Sequence, residues 1–363
     1  MKFTILGQGV GLPPYSISQK DAVEYAKRYS CHDDEQRRIL PALYRMSGVK
    51  RRHSILLSAP EGESERQHYF PEPDSPTDKG PTISARMMLY EQKAPPMAVE
   101  ASRKALSDGG VKPEEVTHLI TVSCSGFGSP GVDIRLMQDL GLRNTVQRVH
   151  VGFMGCHGAL NGLRAARGIG ESEPEARVLV CAVELCSLHY HYGWDPEQVI
   201  ANALFADGSA AIVGRASNGE VPDAWRVAAT GSCLIPESED AMTWHIRDNG
   251  FVMSLSARVP DLICTHLKGW METWLGEHGL KLDDIKSWAV HPGGPRILTS
   301  VAKALELDKE ALAVSKEILR DYGNMSSPTI LFIVNRLREQ QAERPCVALA
   351  FGPGLMAEAV LFA

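Results

Sequence analysis

The sequence has no run of roughly 18 apolar residues, the least a membrane-spanning helix needs, so no segment reads as a span. Its eight cysteines form no CxxC pair and show no His/Cys spacing of the zinc-binding kind, which argues against a metal-held fold. It has no glycine fingerprint for a dinucleotide and no phosphate-cradling P-loop, so no cofactor is implied. There is no surplus of positive charge. Lys and Arg number 38 against 44 Asp and Glu, for a net charge of -6, which excludes a general affinity for nucleic acid or anionic lipid but not a local basic rim for a phosphorylated ligand. Aromatic residues make up only 7%. The opening Met1-Lys-Phe-Thr-Ile-Leu-Gly7 has no signal-peptide core or cleavage site and reads as a first strand. Cys181, Cys233 and Cys346 sit inside apolar strand-like runs, so a cytoplasmic chain with reduced thiols is expected.

What is present is a duplication. The 363 residues are too many for one small core. Gly110-Val-Lys-Pro-Glu-Glu-Val matches Gly279-Leu-Lys-Leu-Asp-Asp-Ile at an offset of 169 (279 − 110). The same offset carries Arg177–Val183 onto Cys346–Gly352, and Gly155-Cys156 onto Asn324-Met325. Strands are expected at Phe3–Leu6, His118–Val122, Val178–Val183, Ala210–Val213, Trp288–Val290 and Val347–Phe351. Helices are expected at Ile83–Leu106, Val132–Leu140, Leu160–Arg167, Val259–Leu275, Arg296–Leu305 and Pro328–Arg338. The alternation predicts layered α/β architecture. Ala59–Pro81 is acidic, rich in proline and aperiodic, and reads as a loop. A junction near Ser217–Asp223 divides the chain into halves of residues 1–220 and 221–363.

Three segments carry chemistry. Cys156 lies between glycines at the start of an apolar-faced helix. A helix N-terminus offers free N–H groups and a positive dipole end, which lower a thiol pKa and favour a nucleophile. His291 stands at the end of a buried strand before Pro-Gly-Gly. An imidazole there can pair with a thiolate or donate to an oxyanion. Asn324 opens a second helix and mirrors Gly155 in the repeat. It is either a helix cap or an amide donor beside the thiol.

Gly155-Cys156, His291-Pro-Gly-Gly-Pro, Gly323-Asn324-Met-Ser-Ser and Phe351-Gly-Pro-Gly354 together resemble the signature blocks of type III polyketide synthases, the chalcone/stilbene synthase family of the thiolase superfamily. Gly48-Val-Lys-Arg-Arg-His53 and Ala203-Leu-Phe-Ala-Asp-Gly add to the resemblance, which spans nearly the whole chain. The ketoacyl-ACP synthase III type usually has His-Gln-Ala-Asn and Gly-Asn-Thr instead. The resemblance implies a duplicated, thiolase-like αβαβα fold acting as a homodimer on acyl-CoA and malonyl-CoA. It implies that Cys156 takes the acyl starter, while His291 and Asn324 hold the malonyl thioester carbonyl during decarboxylation and stabilise the enolate. It makes Phe205 an apolar gatekeeper and puts a second gatekeeping aromatic near Trp244.

Some positions depart from the family pattern. Gly158-Ala159 reverses the usual Ala-Gly, His157 follows the nucleophile, and Ser129 stands where the plant enzymes place a cross-dimer Met. Cys124, Ser125 and Ser129 are expected on one cavity wall and Cys186 on the other, with Ser326 and Gly354 also at the substrate. These small side chains favour a medium or long acyl starter with an alkylpyrone or alkylresorcinol product, unless His189, Tyr190 and Tyr192 close the slot. An aromatic starter is the competing expectation. Arg45, Lys50, Arg51 and Arg52 are the nearest basic cluster for the CoA phosphates. A Cys-His-Asn hydrolase and a non-enzymatic acyl-CoA binder are the other classes weighed. The repeat argues against the first, and the presence of all three polar residues against the second.

Overall fold

The computed structural model describes residues 2–59, 66–217 and 224–363. Its helices are α1 (Gln19–Tyr29), α2 (Asp34–Met46), α3 (Ile83–Asp108), α4 (Val132–Leu140), α5 (Gly158–Ser172), α6 (Pro196–Leu204), α7 (Val259–Gly276), α8 (Pro295–Ala304), α9 (Ala313–Tyr322) and α10 (Ser327–Glu339). The strands are β1 (Lys2–Gly11), β2 (Ser16–Ser18), β3 (Arg51–His53), β4 (Leu57–Ser58), β5 (Arg66–Gln67), β6 (His118–Ser123), β7 (Gln147–Gly152), β8 (Arg177–Leu185), β9 (Asp207–Ser217), β10 (Arg226–Leu234), β11 (Met242–Arg247), β12 (Gly250–Leu255), β13 (Ser287–Val290), β14 (Cys346–Gly352) and β15 (Met356–Phe362).

Nine strands form one mixed sheet in the order β13-β14-β15-β10-β1-β9-β8-β6-β7. Its halves meet where β1 pairs with β10 through Phe3–Val227 and Thr4–Arg226. The duplication is plain in the elements. β13, β14 and α10 begin 169 residues after β6, β8 and α5 (287 − 118, 346 − 177, 327 − 158). The division between residues 220 and 221 lies outside the described residues, as does most of the junction at 217–223.

The layers follow from strands that are apolar on both faces, as sheets covered on both sides must be. In β8, Val178, Val180 and Ala182 join the inner core, while Leu179, Cys181 and Val183 join an outer core under α3. In β14, Cys346, Ala348 and Ala350 face inward, and Val347, Leu349 and Phe351 face α7 and α8. α5 and α10 fill the middle through Leu160, Leu163, Ile330 and Val334. The two halves of the sheet form separate layers, so the result is helix, half-sheet, helix, half-sheet, helix.

Each expected strand and helix is present, most extended by a few residues. The four helices α1, α2, α6 and α9 are the ones the periodicity did not announce. Three of them close a small local core built from Ala22, Leu40, Tyr44, Val199 and Ala203, so their stability comes from docking, not from a long apolar face. The Ala59–Pro81 reading as a loop holds for residues 68–81, with one short strand before them. Residues 60–65 lie outside the described residues, but Arg66–Gln67 pairs with Leu57–Ser58, and Phe70 is buried against Tyr29 and Tyr192. The loop is thus pinned to the body by an apolar anchor, Phe70.

Candidate active site

The ends of β6, β8 and β13 and the starts of α5 and α10 converge. Cys156 occupies a 3-10 turn, Gly155–His157, that leads into α5. Gly155 adopts φ +72°, and a Cβ there would lie 2.4 Å from Pro353 Cδ. Glycine is therefore required both by conformation and by close packing. The pocket at the thiol is lined by Cys124, Cys156, Cys186, Phe205, Trp244 and Ser326, closed by Met253 and Pro353. Ser326 Oγ lies 3.1 Å from Cys124 Sγ and 3.7 Å from Cys156 Sγ. Trp244 donates its indole N–H to the Cys124 carbonyl at 2.8 Å and meets the Phe205 ring at 6.4 Å.

Asn324 and His291 stand behind this lining, each 1% exposed. Asn324 Oδ1 accepts from Ser326 N at 2.8 Å, and its backbone bridges Phe205. The residue is an internal turn brace and not the cap of α10, whose cap position is Ser326. Its amide nitrogen side is left for the thiol: hydrogen bonds from Ser326 and Asn324 both act on Cys156. His291 follows β13 and donates its backbone N–H to Leu349 at 2.8 Å. Among the described residues neither ring nitrogen has a hydrogen-bond partner. Two unsatisfied polar atoms on a fully buried ring call for an explanation, and a ligand oxygen supplies one.

The electrostatics correct one expectation. Burial pushes the Cys156 thiol up to about 11, against the pull of its two hydrogen bonds. Burial, aided by the charge of His157, pushes His291 down to about 3. The site is too dry for a helix terminus to hold a lowered thiol pKa in the resting chain, so desolvation wins. His157 itself is spent on structure. Its Nδ1 bonds Asn161 Oδ1 at 2.7 Å, and its ring lies against Gly352.

The remaining expected residues divide. Cys124, Cys186, Phe205, Trp244 and Ser326 line the pocket. Ser125 does not: its Oγ donates to Glu184 and accepts from Leu185 N. Ser129 is exposed and lines a separate surface cavity with Asp133 and His150, because the loop turns outward after Gly126. Gly354 sits in a turn at φ +76°, its carbonyl accepting from Ser238 at 3.1 Å; Pro353 is the residue that reaches the pocket. Arg45, Lys50 and Arg51 are exposed. Arg52 instead turns inward onto the carbonyls of Asn202 and Phe205, since β3 alternates its side chains between solvent and core.

Glu184 is the site residue whose role the sequence reading did not assign. Its carboxylate is fully buried and accepts from Cys124 N, Ser125 N, Ser125 Oγ and Ser327 Oγ. It thereby ties the β6 loop to the start of α10. A lone acid in the apolar run of β8 was the available signal.

Family models for chalcone and stilbene synthases match the chain along almost its whole length, the N-terminal domain over residues 1–217 and the C-terminal domain over residues 226–363. The chain belongs to the type III polyketide synthase family. This synthase is 33% identical to type III polyketide synthase C of Arabidopsis thaliana, over 99% of its own length and 94% of the relative's. It is 32% identical to the alpha-pyrone synthesis polyketide synthase-like Pks18 of Mycobacterium tuberculosis, over 99% and 90%. Its fold superposes on the crystal structure of PKS-I from the brown alga Ectocarpus siliculosus with a TM-score of 0.91, at 30% identity, covering 100% of this chain and 98% of the other. It is accordingly a decarboxylating, condensing acyltransferase that uses CoA thioesters. Among the described residues, no helix is long and apolar enough to cross a membrane.

Proposed function

We propose that this synthase loads a medium- or long-chain fatty acyl group from CoA onto Cys156, extends it with malonyl-CoA and releases an alkylpyrone or alkylresorcinol. The observation that carries the reading is a second, larger cavity beside the thiol pocket. It has about 120 Å³ of water-accessible space against about 30 Å³ in the thiol pocket. The two share Cys186, Phe205, Trp244 and Met253 as a common wall. Beyond that wall the lining is mainly apolar and aromatic, with Ile17, Leu57, Phe70 and Phe251. His189 and Tyr190 line this space too, forming its wall where the sequence left them as potential plugs. An apolar slot favours an alkyl chain by about 0.8 kcal/mol per methylene. The name of the mycobacterial relative, alpha-pyrone synthesis, supports the pyrone outcome.

In this reading the Cys156 sulfur attacks the starter thioester and CoA thiol leaves. The thiol proton passes by way of His291 to the departing sulfur. Malonyl-CoA then places its thioester oxygen against His291 and Asn324. A neutral imidazole retains the N–H that such an oxygen needs. Loss of CO₂ leaves the enolate, whose carbon attacks the Cys156 thioester and expels the Cys156 sulfur as thiolate while a carbon–carbon bond forms. The extended chain returns to Cys156 for the next cycle. The scheme calls on no cofactor beyond the CoA thioesters. Arg45, Lys50 and Arg51 meet the CoA phosphates.

A second copy is expected along the exposed edge strand β7, near the exposed apolar residues Phe127, Val149 and Met154. The eight cysteines are free, which suits a cytoplasmic enzyme with a thiol nucleophile. Mass spectrometry of products from acetyl- to palmitoyl-CoA and benzoyl- or coumaroyl-CoA starters, each with malonyl-CoA, tests the substrate claim. Highest kcat/KM for starters of eight or more carbons supports it. Preference for the aromatic starters overturns it.

A further inference from the structure

Arg52 sits in the apolar cavity wall, and no ion pair to it is present among the described residues. The acid nearest in charge, Asp207, is occupied by Ile55 N, Ser187 N and Ser187 Oγ. Arg52 is half-buried with its Nε shielded from solvent, and a desolvated cation without an acid partner is costly and needs a compensating use. Here the use is visible. Arg52 Nη1 donates to the carbonyls of Asn202 and Phe205. These belong to the last turn of α6, where carbonyls lack helical partners and the dipole end is negative.

The same helix end anchors Asn324. Asn324 N donates to Leu204 O at 2.9 Å, and Ala206 N donates to Asn324 O at 2.9 Å. On its other side the Arg52 stem packs on Gly323. A Cβ at Gly323 would lie 2.9 Å from Arg52 Cγ and 2.9 Å from Leu204 O, and φ there is +76°. Arg52 is thus wedged between the segment that carries Phe205 and the segment that carries Asn324. Among the described residues its Nε has no hydrogen-bond partner, and its side-chain hydrogen bonds there go to the α6 end.

We propose that Arg52 is a positioning residue, which clamps the C-terminal end of α6 so that the Asn324 amide is set for the malonyl thioester oxygen. This rests on the reading of Asn324 given above. One nitrogen, Nη1, serves both carbonyls, and arginine suits the place because its guanidinium stays charged when desolvated and is more weakly hydrated than a lysine ammonium.

The test measures CO₂ release from malonyl-CoA by wild type, R52M, R52K, R52Q and N324A, with kcat and KM at two salt concentrations. Circular dichroism checks folding, and the rate of Cys156 carboxamidomethylation reports on the thiol side. The expected result is a fall in kcat of at least tenfold in R52M. KM for malonyl-CoA stays within threefold, its salt dependence is unchanged, and alkylation proceeds within twofold of wild type. R52K recovers part of kcat. If R52M does not fold, R52K and R52Q carry the same comparison, with R52Q the poorer of the two. A dead N324A beside an R52M with wild-type kcat overturns the proposal alone. A raised KM with a weaker salt dependence and unchanged kcat also overturns it, returning Arg52 to phosphate binding. An N324A that still decarboxylates at the wild-type rate overturns the reading of the site, and the clamp with it.

Discussion

Cys186→Phe separates an alkyl-starter enzyme from one for short or aromatic starters. Cys186 is 6% exposed and belongs to the wall shared by the thiol pocket and the apolar cavity. A phenyl ring there blocks passage from one space to the other. An acyl chain kept out of the cavity loses about 0.8 kcal/mol for each methylene it no longer buries. Four such methylenes amount to about 3 kcal/mol, or roughly two hundredfold in kcat/KM. Overpacking costs the fold about 1–3 kcal/mol in general, so activity on a short starter serves as the internal control. The assay compares kcat/KM for butyryl-, octanoyl- and dodecanoyl-CoA, with malonyl-CoA saturating. The ratio of dodecanoyl to butyryl activity should fall by roughly two orders of magnitude, and butyryl activity itself should stay within about tenfold. An unchanged ratio would refute the claim that the chain enters the apolar cavity.

Other consequences are measured as readily. Gly155→Ala places a Cβ 2.4 Å from Pro353 Cδ at φ +72°; steady-state kinetics should show kcat down at least about tenfold, because the turn carrying Cys156 must shift. Glu184→Leu strands the buried amides of Cys124 and Ser125 at about 1–3 kcal/mol each, so denaturant unfolding should show a loss of about 3 kcal/mol or more. His189 accepts from Phe251 N at Nδ1 and is pushed down to about 3 by burial. Its unfolded value is near 6.5, so between about pH 6.5 and 3 the unfolded chain binds the extra proton. Stability is therefore full above pH 6.5 and falls on acidification by up to about 1.4 kcal/mol per unit from this residue. His189→Gln should flatten that slope in thermal melts from pH 7 to 4.

The fold was legible where the chain is apolar on a fixed period. β8 and β14 are continuous apolar runs because both faces are covered, and the repeat offset located their partners. His291 was legible because it ends an apolar strand run, and Cys156 and Asn324 because each stands at a helix start, flanked by glycine, that the repeat aligns. Arg52 was misread because the three consecutive basic residues Lys50, Arg51 and Arg52 look alike in sequence, while a strand sends alternate side chains to opposite sides. Ser125 and Gly354 were misread for a related reason. Their neighbours Cys124 and Pro353 do reach the pocket, and one residue of register decides which does. Glu184 required knowing that the β6 loop and the start of α10 meet over the end of β8. The depressed thiol pKa failed because dipole arguments made from sequence carry no measure of burial.

The central claim is that Cys156 carries the growing chain. It is tested most directly by incubating the enzyme with dodecanoyl-CoA alone, quenching in acid and mapping the acylated peptide by mass spectrometry. The account predicts one dodecanoyl thioester, on the peptide containing Cys156, and its loss together with all product in Cys156→Ala. Acylation at Cys124 or Cys186 instead, or product from Cys156→Ala, would contradict it.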